Sequence, residues 1–194
     1  MIAADPNGIP AALAAYGHYL SFLVSFGCLI VERLTIKPAM SMEEEKTMAI
    51  ADAVYGLAGL GVVVTGYLRV TQFGKGWEFY QHEPIFWLKL TLIAIAGAAS
   101  FFPTVIIFKR SVEQQQNQDV AIAPMSEELA ARMTSIINAE LLAIASIPLS
   151  AALMARGVGY APWLSWPIGA TPAILALLGL GYKYAREALE WQES

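Results

Sequence analysis

The sequence predicts an all-α, polytopic transmembrane helical bundle, and three observations predict it. Hydrophobic residues make up 57% of the 194-residue chain and charged ones only 14%, where a soluble domain carries about a quarter charged. Mean hydropathy is +0.52, on the side of lipid rather than water. Apolar runs of the roughly 20 residues needed to cross about 30 Å of hydrocarbon also recur along the chain. A chain of this length accommodates one compact bundle, so residues 1–194 are expected to form a single integral membrane domain.

Four runs meet the length criterion directly, and each carries one ionisable residue. The first, 11–31, contains His18; the second, 47–68, contains Asp52. The third, 84–108, contains Lys89, and the fourth, 133–155, contains Glu140. A fifth uncharged stretch is interrupted by Pro162, Pro167 and Pro172, so its helix is expected to start near Pro167 and span 167–184. The N-terminal MIAADPNGIP has no basic n-region and no small-residue cleavage site, and the run that follows reads as a first membrane helix.

Charge bias favours five spans over the alternative of four. With five, Arg33, Lys37, Lys46, Lys109, Arg110, Arg132, Lys183 and Arg186 share one side, and only Arg69, Lys75 and Arg156 lie on the other. With four, the split is nearly even and carries no orientation signal. Because short basic loops stay on the cytoplasmic or equivalent side, the expected arrangement has the N-terminus out and the C-terminus in.

The connections differ in character. Ser41 followed at three residues by Glu44 predicts a capping box at the start of the second helix. Residues 111–128 hold the run EQQQNQD and are expected to form a polar, solvated loop. The aromatic segment TQFGKGWEFYQHEP is expected in the headgroup region, and the small-residue runs 58–66 and 94–100 predict close helix contact. A lone Cys28 in an apolar run excludes an internal disulfide.

An ionisable group inside a bilayer is costly, about 2.5 to 3.5 kcal/mol on insertion scales, so each calls for a partner or a purpose. Counting rise per residue places His18 and Lys89 roughly 8 to 12 Å below the outer face and Glu140 near mid-depth. These three are expected to form one polar cluster. Asp52, nearer the inner face with Glu32, Arg33 and Arg132, is expected in a structural ion pair.

His18 is the candidate metal ligand, axial to a b-type haem or a chlorophyll; the plainer reading is a hydrogen-bonded histidine between helices. Glu140 reads as a proton-handling carboxylate or as the buried partner of a lysine. Lys89 reads as an anion contact or a side chain reaching back to the surface. His82, beside Glu83 and Pro84, suits a helix start. There is no nucleophile elbow, phosphate loop or paired-carboxylate hydrolase signature, which sets soluble enzyme classes aside, and no basic patch with interleaved aromatics, which sets nucleic acid aside.

The stretches AYGHYLSFLVSFGCLIVERLTIKPAMS, VYGLAGL, TGYLRVTQ, HEPIFWLK and MTSIINAELLAIASIPLSAALMARG resemble an uncharacterised family of predicted membrane proteins of cyanobacteria and chloroplasts, over nearly the whole chain. That resemblance implies a thylakoid, chloroplast envelope or cyanobacterial membrane. The order of marks is also similar, more distantly, to the haem-binding, oxygen-independent protoporphyrinogen oxidase family. It implies a cofactor site of His18, Arg33, Lys89 and Glu140, the last two residues after Asn138. Two of that family's marks are missing: its third-helix histidine falls near Ala98 or Ala99, and no proline follows Glu140.

The expected function is therefore an integral membrane protein that binds a tetrapyrrole, b-type haem with chlorophyll as the alternative, with catalysis unassigned. A chain with no cofactor at all is an equal expectation. The competing function is a non-catalytic accessory or assembly subunit of a larger photosynthetic membrane complex, or a homodimer, in the lipid bilayer.

Overall fold

The computed structural model describes residues 8–116 and 123–191. Its elements, among the described residues, are all helical: α1 (Gly8–Thr35), α2 (Met42–Thr71), the single turn α3 (Trp77–Tyr80), α4 (Pro84–Ala99), α5 (Phe101–Gln116), α6 (Glu127–Ala155), α7 (Trp166–Leu175) and α8 (Gly181–Glu190). A π-helical turn, Ala176–Leu180, joins the last two.

Among the described residues, four stretches are long and apolar enough to cross a membrane: α1, α2, the continuous run Pro84–Gln116 formed by α4 and α5, and α6. This is a polytopic membrane bundle. The helical bonding of the third span is interrupted at Ser100 because Pro103 has no N–H to give the Ala99 carbonyl. It also runs further than the sequence suggested. Residues 111–116, expected in the polar loop, continue α5, and residues 127 and 128 already belong to α6. The polar side chains there find partners on α2: Gln114 donates to Glu45, which is also held by Arg110 at 2.6 Å. Residues 117–122 of that expected loop lie outside the described residues.

The segment expected to be a fifth span starts where Pro167 predicts, with Pro167 in the first turn of α7. It then runs in three pieces of 10, 5 and 10 residues. Pro172 inside α7 removes a backbone donor, and the π turn follows four residues on. The three pieces follow one another without a break, so the helix runs on from Trp166 to Glu190 with the π turn inside it.

Four spans close a ring in the order α1, α2, α4–α5, α6, with α6 returning to α1. The α1–α2 pair is the most extensive contact. Gly61 faces Ser21 and Gly66 faces His18, so closely that a Cβ at Gly61 would lie 2.5 Å from Ser21 Oγ. Small residues thus set the helix separation, as the run 58–66 predicts. α7, the π turn and α8 pack on the outer side of α4 and α5. Gly169 touches the Trp87 indole, Lys109 Nζ donates to the Ala188 carbonyl at 2.7 Å, and Arg132 reaches from α6 to Glu187 at 2.6 Å.

Chain reversals define two ends of the bundle. The first end holds the α1–α2 connection, hydrogen-bonded from Ala39 N to Met125 O, and the expected capping box, with Ser41 Oγ accepting from Glu44 N and Glu44 Oε2 from Ser41 N. The second end holds α3 and the α6–α7 connection. There His82 does not start a helix; its carbonyl accepts from Ala161 N, and its Nδ1 lies 2.7 Å from the Leu164 carbonyl. The main core, around Leu29, Met48, Phe102, Met133 and Ile137, fills the half nearer the first end. A smaller cluster of Phe86, Trp87, Ala161, Leu164 and Ala170 lies at the second.

The close approach at Gly169 is the most sensitive point of this packing, since a Cβ there would sit 2.3 Å from the Trp87 ring. Gly169→Ala is expected to cost about 1 to 3 kcal/mol, the range for overpacking. The cost should appear as a lowered melting point in detergent with altered tryptophan fluorescence, whereas Gly97→Ala, which meets open space, should leave both unchanged.

Candidate functional site

In the half of the bundle nearer the second end the core thins, and a cavity of about 490 Å3 opens between α1, α2, α4 and α6. That volume lies within the range of small-molecule and cofactor sites. Its walls are largely apolar, with Phe22, Val70, Ile147, Pro148 and Met154 among them. Its ionic lining, among the described residues, is one-signed: Arg69, Lys75 and Lys89 face it together with His18, Tyr19 and Tyr80, and no carboxylate does.

Each of these groups is placed by its helix. His18 projects from α1 onto α2, where Gly66 leaves room for the ring. His18 Nδ1 lies 3.0 Å from Thr65 Oγ1, and Thr65 Oγ1 is itself 2.5 Å from the Gly61 carbonyl. The threonine proton goes to that carbonyl, so the hydroxyl can only accept from the ring. Nδ1 therefore carries the hydrogen and Nε2 keeps its lone pair. A neutral imidazole held in this tautomer by an oxygen acceptor is the arrangement that presents a histidine to a metal.

Arg69 donates to Tyr19 Oη at 3.2 Å and lies over its ring, and Lys75 donates to the Ala155 carbonyl at 3.4 Å. Neither contact neutralises a charge. Lys89 is the most isolated: among the described residues it has no hydrogen bond or ion pair, and its ammonium sits 5.7 Å from the centre of the Phe86 ring. The field of Arg69 and Lys89 reaches His18. An apolar chamber with three cations and a coordinating nitrogen suits an amphiphile that carries acidic groups.

The structure brings His18 and Lys89 together and separates Glu140 from them, against the expected single cluster. The physical reason is helix direction. Side chains lean toward the N-terminus of their own helix, which for α1 and α4 is the second end and for α6 the first. Glu140 instead meets Tyr55, whose hydroxyl donates to Oε1 at 3.3 Å. Arg33 lies away from the cavity as well, with Nε donating to Asn138 Oδ1 at 2.7 Å. The expected ion pair of Asp52 does not form either: Asp52 accepts from Thr104 at 2.6 Å, while Arg132 pairs with Glu187.

Sequence reasoning missed Thr65, Arg69 and Lys75. Arg69 and Lys75 had served only as loop charges, yet Arg69 is in the last turn of α2. The spacing of His18 and Lys89 from the same membrane face was the available signal for the cavity's level; nothing in the sequence singled out Thr65.

Beside this site, Glu83 caps the start of α4 with its side chain fully buried and both carboxylate oxygens without a partner among the described residues. Burial raises its pKa above the ordinary 4.5, opposed by the Lys75 charge. A carboxyl raised in the folded state gives stability that is complete below its unfolded pKa and is lost as pH climbs through the folded value. Glu83→Gln is therefore expected to remove a decline in stability above about pH 4.5 and to melt higher than wild type at neutral pH, as followed by thermal denaturation of the two proteins across pH.

Residues 10–159 match the profile of a family described as "Predicted membrane protein (DUF2214)", and the chain belongs to that family. No curated protein and no solved structure matches it.

Proposed function

We propose that this member of the DUF2214 family of predicted membrane proteins binds a tetrapyrrole, b-type haem, in the cavity between α1, α2, α4 and α6. The observation that carries this reading is the histidine itself: His18 holds its Nδ1 hydrogen against Thr65 at 3.0 Å and leaves Nε2 free beside the chamber. The residues fit the group. His18 would hold the iron, and Lys89, Arg69 and Lys75 would balance acidic substituents on the macrocycle. Apolar side chains from α1 and α6 enclose its body. When bound, haem would supply electron transfer or oxidation chemistry; the chain's own part is to hold the group, exclude water and balance its charge. Chlorophyll, which lacks free acidic side groups, makes less use of three cations.

The motif resemblance supports placing this bundle in a photosynthetic membrane, of a chloroplast or a cyanobacterium. A second reading, an accessory or assembly subunit of a larger complex there, is favoured by the outward faces of α1 and α2. Only 17% of the apolar window of each is buried within the chain, which leaves room for partner helices as well as lipid. Native electrophoresis separates the two readings, since a subunit co-migrates with a large complex.

Purified full-length protein, incubated with hemin, is expected to show a Soret band and a reduced-minus-oxidised difference spectrum. His18→Ala should abolish both, and Lys89→Gln should weaken hemin binding about tenfold, the loss of one charge-assisted contact. A protein that stays colourless with hemin, or a spectrum indifferent to His18→Ala, overturns the assignment.

A further inference from the structure

The half of the bundle away from the cavity holds a second group of ionisable residues, opposite in sign. Glu32 on α1, Asp52 on α2 and Glu140 on α6 surround the Tyr55 side chain, which feels the charge of all three. Glu32 and Glu140 are each only 1% exposed. One oxygen of each, Glu32 Oε1 and Glu140 Oε2, is fully buried without a hydrogen-bond partner among the described residues. Two orphaned acid oxygens at this depth stand beside a third carboxylate.

Among the described residues, no cation pairs with them. Arg33 on α1, the nearest in sequence, is engaged by Asn138 at 2.7 Å. Arg110 on α5 is held by Glu45, and Arg132 on α6 by Glu187. The other groups at the site are the Cys28 thiol, one turn before Glu32 on α1 and within reach of its charge, and two hydroxyls: Tyr55 donates to Glu140, and Thr104 on α5 donates to Asp52. Three ionised carboxylates with no counter-charge in a low-dielectric interior would repel one another and forfeit hydration together, a cost that proteins avoid by neutralising the groups. No group of three acidic or histidine side chains among the described residues has the spacing of a metal site.

We propose that Glu32, Asp52 and Glu140 form a membrane-buried proton-binding site. Glu32 and Glu140 carry the protons. Asp52 has a short hydroxyl bond from Thr104, which stabilises a carboxylate, and it keeps the residual charge. Tyr55, in reach of Glu140 and three residues from Asp52 on the same helix face, lies where a proton can pass between α2 and α6. The site is separate from the cavity and stands whether or not the cavity holds haem.

Dicyclohexylcarbodiimide, an apolar reagent that attacks protonated carboxyls, tests this on the full-length protein in liposomes at neutral pH. Peptide mapping is expected to find the adduct on Glu32 or Glu140, with labelling falling as pH is raised and lost in the E32Q/E140Q double variant. Infrared spectroscopy of the unmodified protein gives an independent reading that needs no variant: the carbonyl band of a protonated carboxyl, shifted by deuterium. Adducts confined to exposed acids such as Glu43 and Glu127, or the absence of that band, overturn the proposal. Protection by sodium ions at constant pH overturns it too, since the occupant would then be a metal cation.

Discussion

A charge carried on a membrane helix must face protein, and the direction of the helix decides toward which end it leans. Together with each residue's position along its helix, these two constraints sort the interior of this bundle. His18 on α1 and Lys89 on α4 lean toward the end where their helices begin, and with Arg69 and Lys75 they give that half a positive interior. Glu140, on a helix running the other way, joins Glu32 and Asp52 and gives the opposite half a negative one. The antiparallel order of four helices has thus separated groups that a mere depth count places together.

Packing follows the same division. The acid-bearing half coincides with the dense core around Phe102, Met133 and Ile137, where apolar contact on all sides leaves the carboxyls dry. The cation-bearing half is held open between helices, with aromatic rings beside Arg69, Lys75 and Lys89. A cation beside a ring face stays charged and available to an incoming anion, whereas an ion pair would already be satisfied. The chemistry available to each half differs accordingly: one accommodates an acidic guest, the other accommodates protons.

Much of this fold was legible in the residues, and the reasons are local. The length of the apolar runs located four spans, Ser41 and Glu44 announced a helix start, and Pro167 fixed where α7 begins. The extension of α5 to Gln116 was missed, because the polar run beyond Arg110 looks like solvated loop until Gln114 and Arg110 meet Glu45 on another helix. The cavity was half legible. His18 and Lys89 stand at equal depth in the chain count, but Thr65 acts only through the tautomer it imposes on a neighbour 47 positions away. The lean of each side chain along its helix, which no depth count contains, is what removed Glu140 from that group, and Arg33 sits in the last turn of α1 beside Asn138, away from the cavity.

The C-terminal strap has a bearing on how such a bundle assembles. α7, the π turn and α8 rest on the back of the third span, with Arg132 and Glu187 as a tie to α6, and none of them lines the cavity. The family match ends at residue 159, before α7 starts. The C-terminal helix thus packs on the four-helix ring from outside, through the close approach of Gly169 to Trp87 and the Lys109 bond to the Ala188 carbonyl. An architecture of this kind can vary its last segment, and with it the surface shown to neighbours in the membrane, without disturbing the chamber or the buried acids.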